Sequence, residues 1–422
     1  MSACLHPWQH SVMMESGESH ARGFNVFFKS LSAIFLVRLV LTRAILLLVV
    51  AMPYHTQAAP EYAPIMPKAK TSLLIDLAAV GSRVVSVGER GHVLFSDDKG
   101  ESWVQGKMPF LRMLTGVSFV NEKLGWAVGH QSMIFHTTNG GETWALQLEG
   151  FNFQRRVNTD NLARAEQAYA ELSAQLGVTP DQGRELELED ALFALEDAQF
   201  YAEQAPVPTN FHDVLFLDQN RGWAVGAFGR LVQTTDGGKT WVDITHLVAT
   251  EEGFHLNAIT ANHAGALLIA GEAGVLFRSL DDGRSWLQLD SGNDGSFFGI
   301  THSEVSGVTT TFGLGGSVFQ STDFGDSWVQ LDSGITSALA GGAITANGNT
   351  VLVGTGGLIL TINGKDSSIT AHPQSDRQSL SAVLPLSSGG YILAGTGGVK
   401  RVQLSDDSTH HNKAKTNSGA PE

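Results

Sequence analysis

From about residue 70 to residue 404, short apolar stretches alternate with polar, glycine-rich turns, and the alternation repeats. The unit is an apolar strand, a Gly-x-x-Gly turn, a second strand, and then Ser/Thr-x-Asp-x-Gly-x-x-Trp. The first copy runs from Gly88-x-x-Gly91 into Ser96, Asp98, Gly100 and Trp103. Gly129-x-x-Ser132 leads into Thr137, Asn139, Gly141 and Trp144, and Gly226-x-x-Gly229 into Thr234, Asp236, Gly238 and Trp241. Gly271-x-x-Gly274 precedes Ser279, Asp281, Gly283 and Trp286; Gly313-x-x-Gly316 precedes Ser321, Asp323, Gly325 and Trp328. The last position of the turn stands twelve residues before the tryptophan in every complete copy. Two shorter copies, Gly354-x-x-Gly357 and Gly395-x-x-Gly398, lack the tryptophan.

Successive turns lie 41 to 45 residues apart, except for one interval of 97. A unit of that length holds four short strands, and twisted sheets of that size close radially. Seven units therefore predict an all-β chain: a seven-bladed β-propeller with an inserted α-helical hairpin. A β-solenoid or a pair of sandwiches would not explain the fixed count. In the box, Asp and Ser or Thr hydrogen-bond backbone amides within a tight turn, Gly permits positive φ, and Trp wedges into the core. The structural residues are thus Asp98, Trp103, Asn139, Trp144, Asp236, Trp241, Asp281, Trp286, Asp323 and Trp328. The seventh copy lacks a box and a fourth strand, so residues near 60–70 are expected to supply one and join the ends of the ring.

The long interval contains residues 151–206, where the period changes. Leu162, Ala165, Tyr169, Leu172 and Leu176 fall at helical seam spacing, as do Leu188, Leu192, Leu195 and Ala202. Thr179-Pro180-Asp181-Gln182 reads as a capping box between two helices of about 18 and 22 residues. A hairpin packed only on its own seam would be decorative; on a propeller face it reads better as a docking arm or lid.

Composition narrows the class. With 422 residues, 42% hydrophobic and 16% charged, the chain is not disordered, and 47 glycines argue against a helical bundle. A net charge of −15 repels phosphate backbones, which excludes nucleic acid as the expected partner. Lys29, Arg38 and Arg43 precede the apolar run 44–52, Pro53 ends it, and Thr56-Gln57-Ala58 suits a cleavage site. Residues 1–58 therefore read as a signal peptide with an N-terminal extension, 59–404 as the propeller and 405–422 as a disordered tail. The expected product is an exported, soluble monomer of the periplasm or exterior, peripheral to a membrane. The only cysteine, Cys4, precedes the apolar run, so no disulfide, thiol catalyst or covalent lipid anchor is expected.

The box is that of the BNR-type propellers, which include sialidases and non-enzymatic proteins. Gly125-Trp-Ala-Val-Gly129 and Gly222-Trp-Ala-Val-Gly226, with Gly-Gly-x-Thr-Trp at 140–144 and 237–241, resemble the photosystem II assembly and stability factor family. The resemblance implies a binding protein of a membrane or envelope complex. Alternatively, the scaffold is a glycan-binding or sialidase-like glycoside hydrolase.

Topology places the Gly-x-x-Gly turns, the blade connectors and the hairpin on one face, opposite the Asp-boxes. Exposed binding candidates on that face are Arg90, Arg112, His130, Phe228, His255, Phe297 and Phe298. No catalytic constellation, metal set or cofactor motif emerges. The Gly354 turn has no helix after it to hold a phosphate, and the histidines lack ligand spacing.

Overall fold

The computed structural model describes residues 62–176, 182–250, 252–404 and the backbone of 409–411. The expected signal peptide, Thr179–Asp181 of the capping box and most of the tail lie outside those residues.

Among the described residues the strands form seven antiparallel sheets, at 74–105, 114–148, 211–243, 256–289, 297–331, 339–371 and 380–402. The first six carry four consecutive strands each and the seventh three. The first strand of each sheet packs beside that of the next, and Leu380–Pro385 of the seventh returns to Leu74–Val80 of the first. This closes a seven-bladed propeller. The Ser381 hydroxyl donates to the Leu74 carbonyl at 2.6 Å across the join, and Arg401 pairs with Glu101 at 2.5 Å.

Residues 62–70 do not add the expected paired fourth strand to the seventh blade, although Ala69–Thr71 packs against Gly398–Val402 and Ala69 is buried with Ala394 and Val399. Ala63 N–H donates to the Met108 carbonyl at 2.6 Å, and the Gln105 side chain bonds both Met66 N–H and the Pro64 carbonyl. One amide side chain thus satisfies two backbone groups of this segment and holds it along the first blade. Thr409–His411 instead pairs antiparallel with Ile369–Ala371, adding a strand outside the sixth blade.

Each box forms a closed knot of hydrogen bonds. In the first, Ser96 Oγ donates to Asp98 Oδ1 at 2.7 Å and accepts from Gly100 N–H at 2.7 Å, while Ser102 donates to Asp98 through both its amide and its hydroxyl. Trp103, Trp144 and Trp286 donate their indole N–H to the box glycine carbonyl. The Gly-Trp-Ala-Val-Gly strands have a packing origin. A Cβ on Gly222 would lie 2.5 Å from the Phe216 ring, which stacks on Trp126 of the neighbouring blade at 3.5 Å between ring centroids. A Cβ on Gly226 would lie 2.2 Å from the Asn210 carbonyl, which accepts from Ala227 N–H.

The insertion forms two contacting helices, α1 (Gly150–Leu176) and α2 (Gln182–Glu203). α1 is longer than the seam predicted, because Glu149 caps it: its carboxylate accepts from Phe151 and Asn152 N–H. That extra turn is built into the propeller. Phe153 and Val157 are buried in one cluster with Trp126, Phe211 and Trp241, and Gln154 accepts from Arg230, which pairs with Asp243. On α2 the half-buried seam is Leu188, Ala191, Leu195 and Ala198, with Leu192 and Ala202 turned outward.

Candidate docking site at the channel mouth

The first strand of every sheet carries one register shift. The bulged residues are Ile75, Thr115, His212, Asn257, Phe298, Ala340 and Ser381, and all seven line a central cavity of about 500 Å³. A bulge re-aims one side chain without breaking the strand. Sequence reading identified Phe298 alone among them. Its neighbour Phe297, expected to be exposed, is fully buried and packs edge-on to Phe319 at 5.6 Å. In-out alternation sends one of the pair to the inter-blade core.

At the Gly-x-x-Gly end, two expected residues, Phe228 and His255, meet one the sequence did not single out, His212, with a third, His130, near enough to act on it electrostatically. In each of these turns in the first six blades the third position has positive φ. In the third blade that position is Phe228, at φ 57° and 66% exposed. Its N–H donates to His255 Nδ1 at 3.1 Å and its ring stands edge-on to the imidazole at 4.9 Å. His255 in turn lies 5.8 Å from His212, whose Nδ1 contacts the Leu256 carbonyl at 3.0 Å. Burial lowers the pKa of His212, with the nearby His255 and His130 adding to the effect, and burial also lowers that of His130. These two imidazoles are therefore neutral near pH 7. Arg90 and Arg112 are exposed at the first and second blades and, among the described residues, form no ion pair.

Beside Phe228, the hairpin and the propeller enclose a groove of about 1010 Å³. Ala165 of α1, Ala198 and Tyr201 of α2, and Val207, Thr209 and Phe228 of the propeller line it, with Arg164 and Asp197 among the charges. Tyr201 and Val207 are 54% and 77% exposed. The groove is largely apolar, open to solvent and bordered by a strained phenylalanine, a combination suited to holding an extended or helical peptide.

The channel itself holds two carboxylates that sequence reading missed. Asp76 accepts from Leu77 and Val117 N–H, and Asp213 from Val214 and Ile259 N–H. Each thereby ties its own blade to the next. Gly116 separates them: a Cβ there would lie 3.3 Å from Asp213 Oδ1. Burial, reinforced by the Asp213 charge, pushes the Asp76 carboxyl up to about 7, and burial raises Asp213 to about 6. The only sequence signal was an Asp at a position that is Gly or Ala in the other blades. The residues lining this cavity include no arginine and no tyrosine, which a sialidase would need beside its carboxylates. Among the described residues, no group of three or more His, Cys, Asp or Glu could hold a metal ion, and no helix is long and apolar enough to cross a membrane.

Residues 194–418 match the family described as photosynthesis system II assembly factor YCF48. The photosystem II assembly lipoprotein Ycf48 of Synechococcus sp. (strain CC9902) is 36% identical over 77 residues, 18% of this chain and 23% of that protein. The photosystem II assembly protein Ycf48 of Thermosynechococcus vestitus (strain NIES-2133 / IAM M-273 / BP-1) is 34% identical over 70 residues, 17% and 20% of the two chains. The match thus spans about a fifth of the length of these curated relatives. Among solved structures, YCF48 bound to a D1 peptide superposes with a TM-score of 0.54 at 15% identity, over 80% of this chain and 95% of that one. YCF48 from Cyanidioschyzon merolae gives 0.52 at 15% identity, over 79% and 95%. The WD40 β-propeller domain of Doa1 gives 0.52 at 14% identity, over 80% and 94%. At these identities the superpositions show the fold.

Proposed function

Since the chain belongs to the family of photosynthesis system II assembly factor YCF48, we propose that it is an exported, non-enzymatic docking factor that assists assembly of a membrane protein complex. It acts from the periplasmic or outer side, peripheral to the membrane, and grips an extended segment of a client subunit. The similar solved protein carries a D1 peptide; here the corresponding task falls to the Gly-x-x-Gly face and the hairpin.

The observation that carries this reading is Phe228. The turn holds its third position in the left-handed region in six blades, at about 1 kcal/mol or more for a non-glycine residue. In the third blade alone of these six that residue is a large apolar one, exposed but for its edge-on contact with His255. A large apolar side chain left exposed there reads as one held out for a partner, and Phe228 stands at the wall of the groove between hairpin and propeller. Desolvating Phe228, Tyr201 and Val207 against a client supplies the affinity, with Arg164 and Asp197 fixing its orientation.

Recovery of crosslinked partners from membranes tests this. Wild type is expected to retain one membrane-complex subunit that is lost both with Phe228→Gly and after replacing residues 159–203 by a short Gly-Ser linker. Undiminished recovery by both variants would move docking off this face.

A further inference from the structure

α2 is apolar on two opposite faces. Its seam residues Leu188, Ala191, Leu195 and Ala198 are half-buried in the hairpin. At about 100° per residue, Leu186, Phe193 and Phe200 fall on the far side, seven residues apart, and they are 61%, 75% and 57% exposed. Glu189 and Glu196 flank this ridge on one side, and Asp190 and Asp197 on the other; all four are exposed. Among the described residues none of these carboxylates forms an ion pair. A surface helix needs one apolar face. This one has a second, about 21 Å long at 1.5 Å per residue, set between two rows of negative charge.

We propose that this ridge docks a basic amphipathic helix of a partner protein, one with apolar residues at heptad spacing between rows of lysine or arginine. The charge rows select the occupant. An anionic lipid surface attracts helices with basic flanks and repels this one. A second copy of the hairpin, paired in either direction, brings carboxylates against carboxylates. A partner helix with cationic flanks buries the three anchors and neutralises both rows. The site adjoins the groove at Asp197 but does not depend on the groove's occupant.

The test uses the full chain and two labelled helical peptides of three heptads, both with leucine on the apolar stripe, one with lysine at the flanks and the other with glutamate. The lysine peptide is expected to bind at least tenfold more tightly, and to lose affinity in high salt. Phe193→Ser with Phe200→Ser should weaken it at least tenfold with no change in melting temperature, because neither side chain packs in the core. Reversing the rows with Glu189→Lys, Asp190→Lys, Glu196→Lys and Asp197→Lys should transfer the preference to the glutamate peptide. Equal binding of the two peptides, or full affinity in the serine variant, would overturn the proposal. So would phosphatidylglycerol-vesicle binding or dimerisation by wild type that the serine substitutions abolish.

Discussion

Phe228 and the two channel aspartates show how single residues separate stability from use. Phe228→Gly relieves about 1 kcal/mol of left-handed strain and adds unfolded-chain freedom that offsets it. Thermal stability is therefore expected to stay the same or rise slightly while client recovery falls, as read by a melting curve beside a binding assay. Asp76 and Asp213 have folded pKa values raised above the unfolded value by burial. The folded state holds their protons more tightly, so their contribution is fully present below about pH 4 and is lost as pH rises through 6 to 7. The box carboxylates behave oppositely. Hydrogen bonds from Ser102 and Ser96 hold Asp98 down at about 2, and the serines of the later boxes do the same for Asp281 and Asp323. Their contribution is lost as pH falls from about 4 toward 2. A melting-temperature profile should rise from pH 8 to pH 5 and fall below pH 4, and Asp76→Asn should flatten only the upper limb. Ser321 supplies a stricter test of the box. Its buried hydroxyl accepts from Gly325 N–H at 2.7 Å and donates to Asp323. Ser321→Ala leaves that buried N–H unpaired and should cost about 1–3 kcal/mol in chemical denaturation.

At the scale of elements, the hairpin divides into a structural base and a free arm. Phe153 and Val157 belong to the core between the second and third blades, so Phe153→Ala is expected to destabilise the whole propeller by about 3–5 kcal/mol. Asn158 meets the Tyr201 carbonyl at 2.9 Å, so the chain can be rejoined there. Removing 159–203 with a short linker should leave the melting temperature unchanged, whereas removing 151–206 should lower it sharply. The arm was readable from heptad spacing beginning at Leu162. The base was not, because Glu149 is an uncommon cap and Phe153 and Val157 face the propeller rather than the seam. The same limit hid the bulges. Each moves one residue from the pleat to the channel, and His212, Asp76 and Asp213 owe their positions to pairings between strands that no local pattern records.

For the whole molecule, turn spacing set the number of blades, since each Gly-x-x-Gly and box marks two corners of one sheet. The manner of closure was not legible. A sequence shows that a fourth strand is missing from the seventh copy, but not that Gln105 captures residues 63–66 for the first blade. Closure runs through the inner strands, the Arg401–Glu101 pair and the packing of Ala69–Thr71 on Gly398–Val402. Deleting residues 379–404 uncovers inner strand edges at the first and sixth blades. Loss of the single cooperative unfolding transition, followed by circular dichroism, is expected.

The central claim is that the Gly-x-x-Gly face docks a client of a membrane complex. It is tested most directly by placing a photocrosslinking amino acid in living cells at Phe228 and, on the opposite face, at Arg284, which is exposed in the box turn of the fourth blade. Adducts to a membrane-complex subunit from position 228, and none from position 284, are the predicted result. Adducts of that subunit from position 284 alone, or equally from both, would contradict the account.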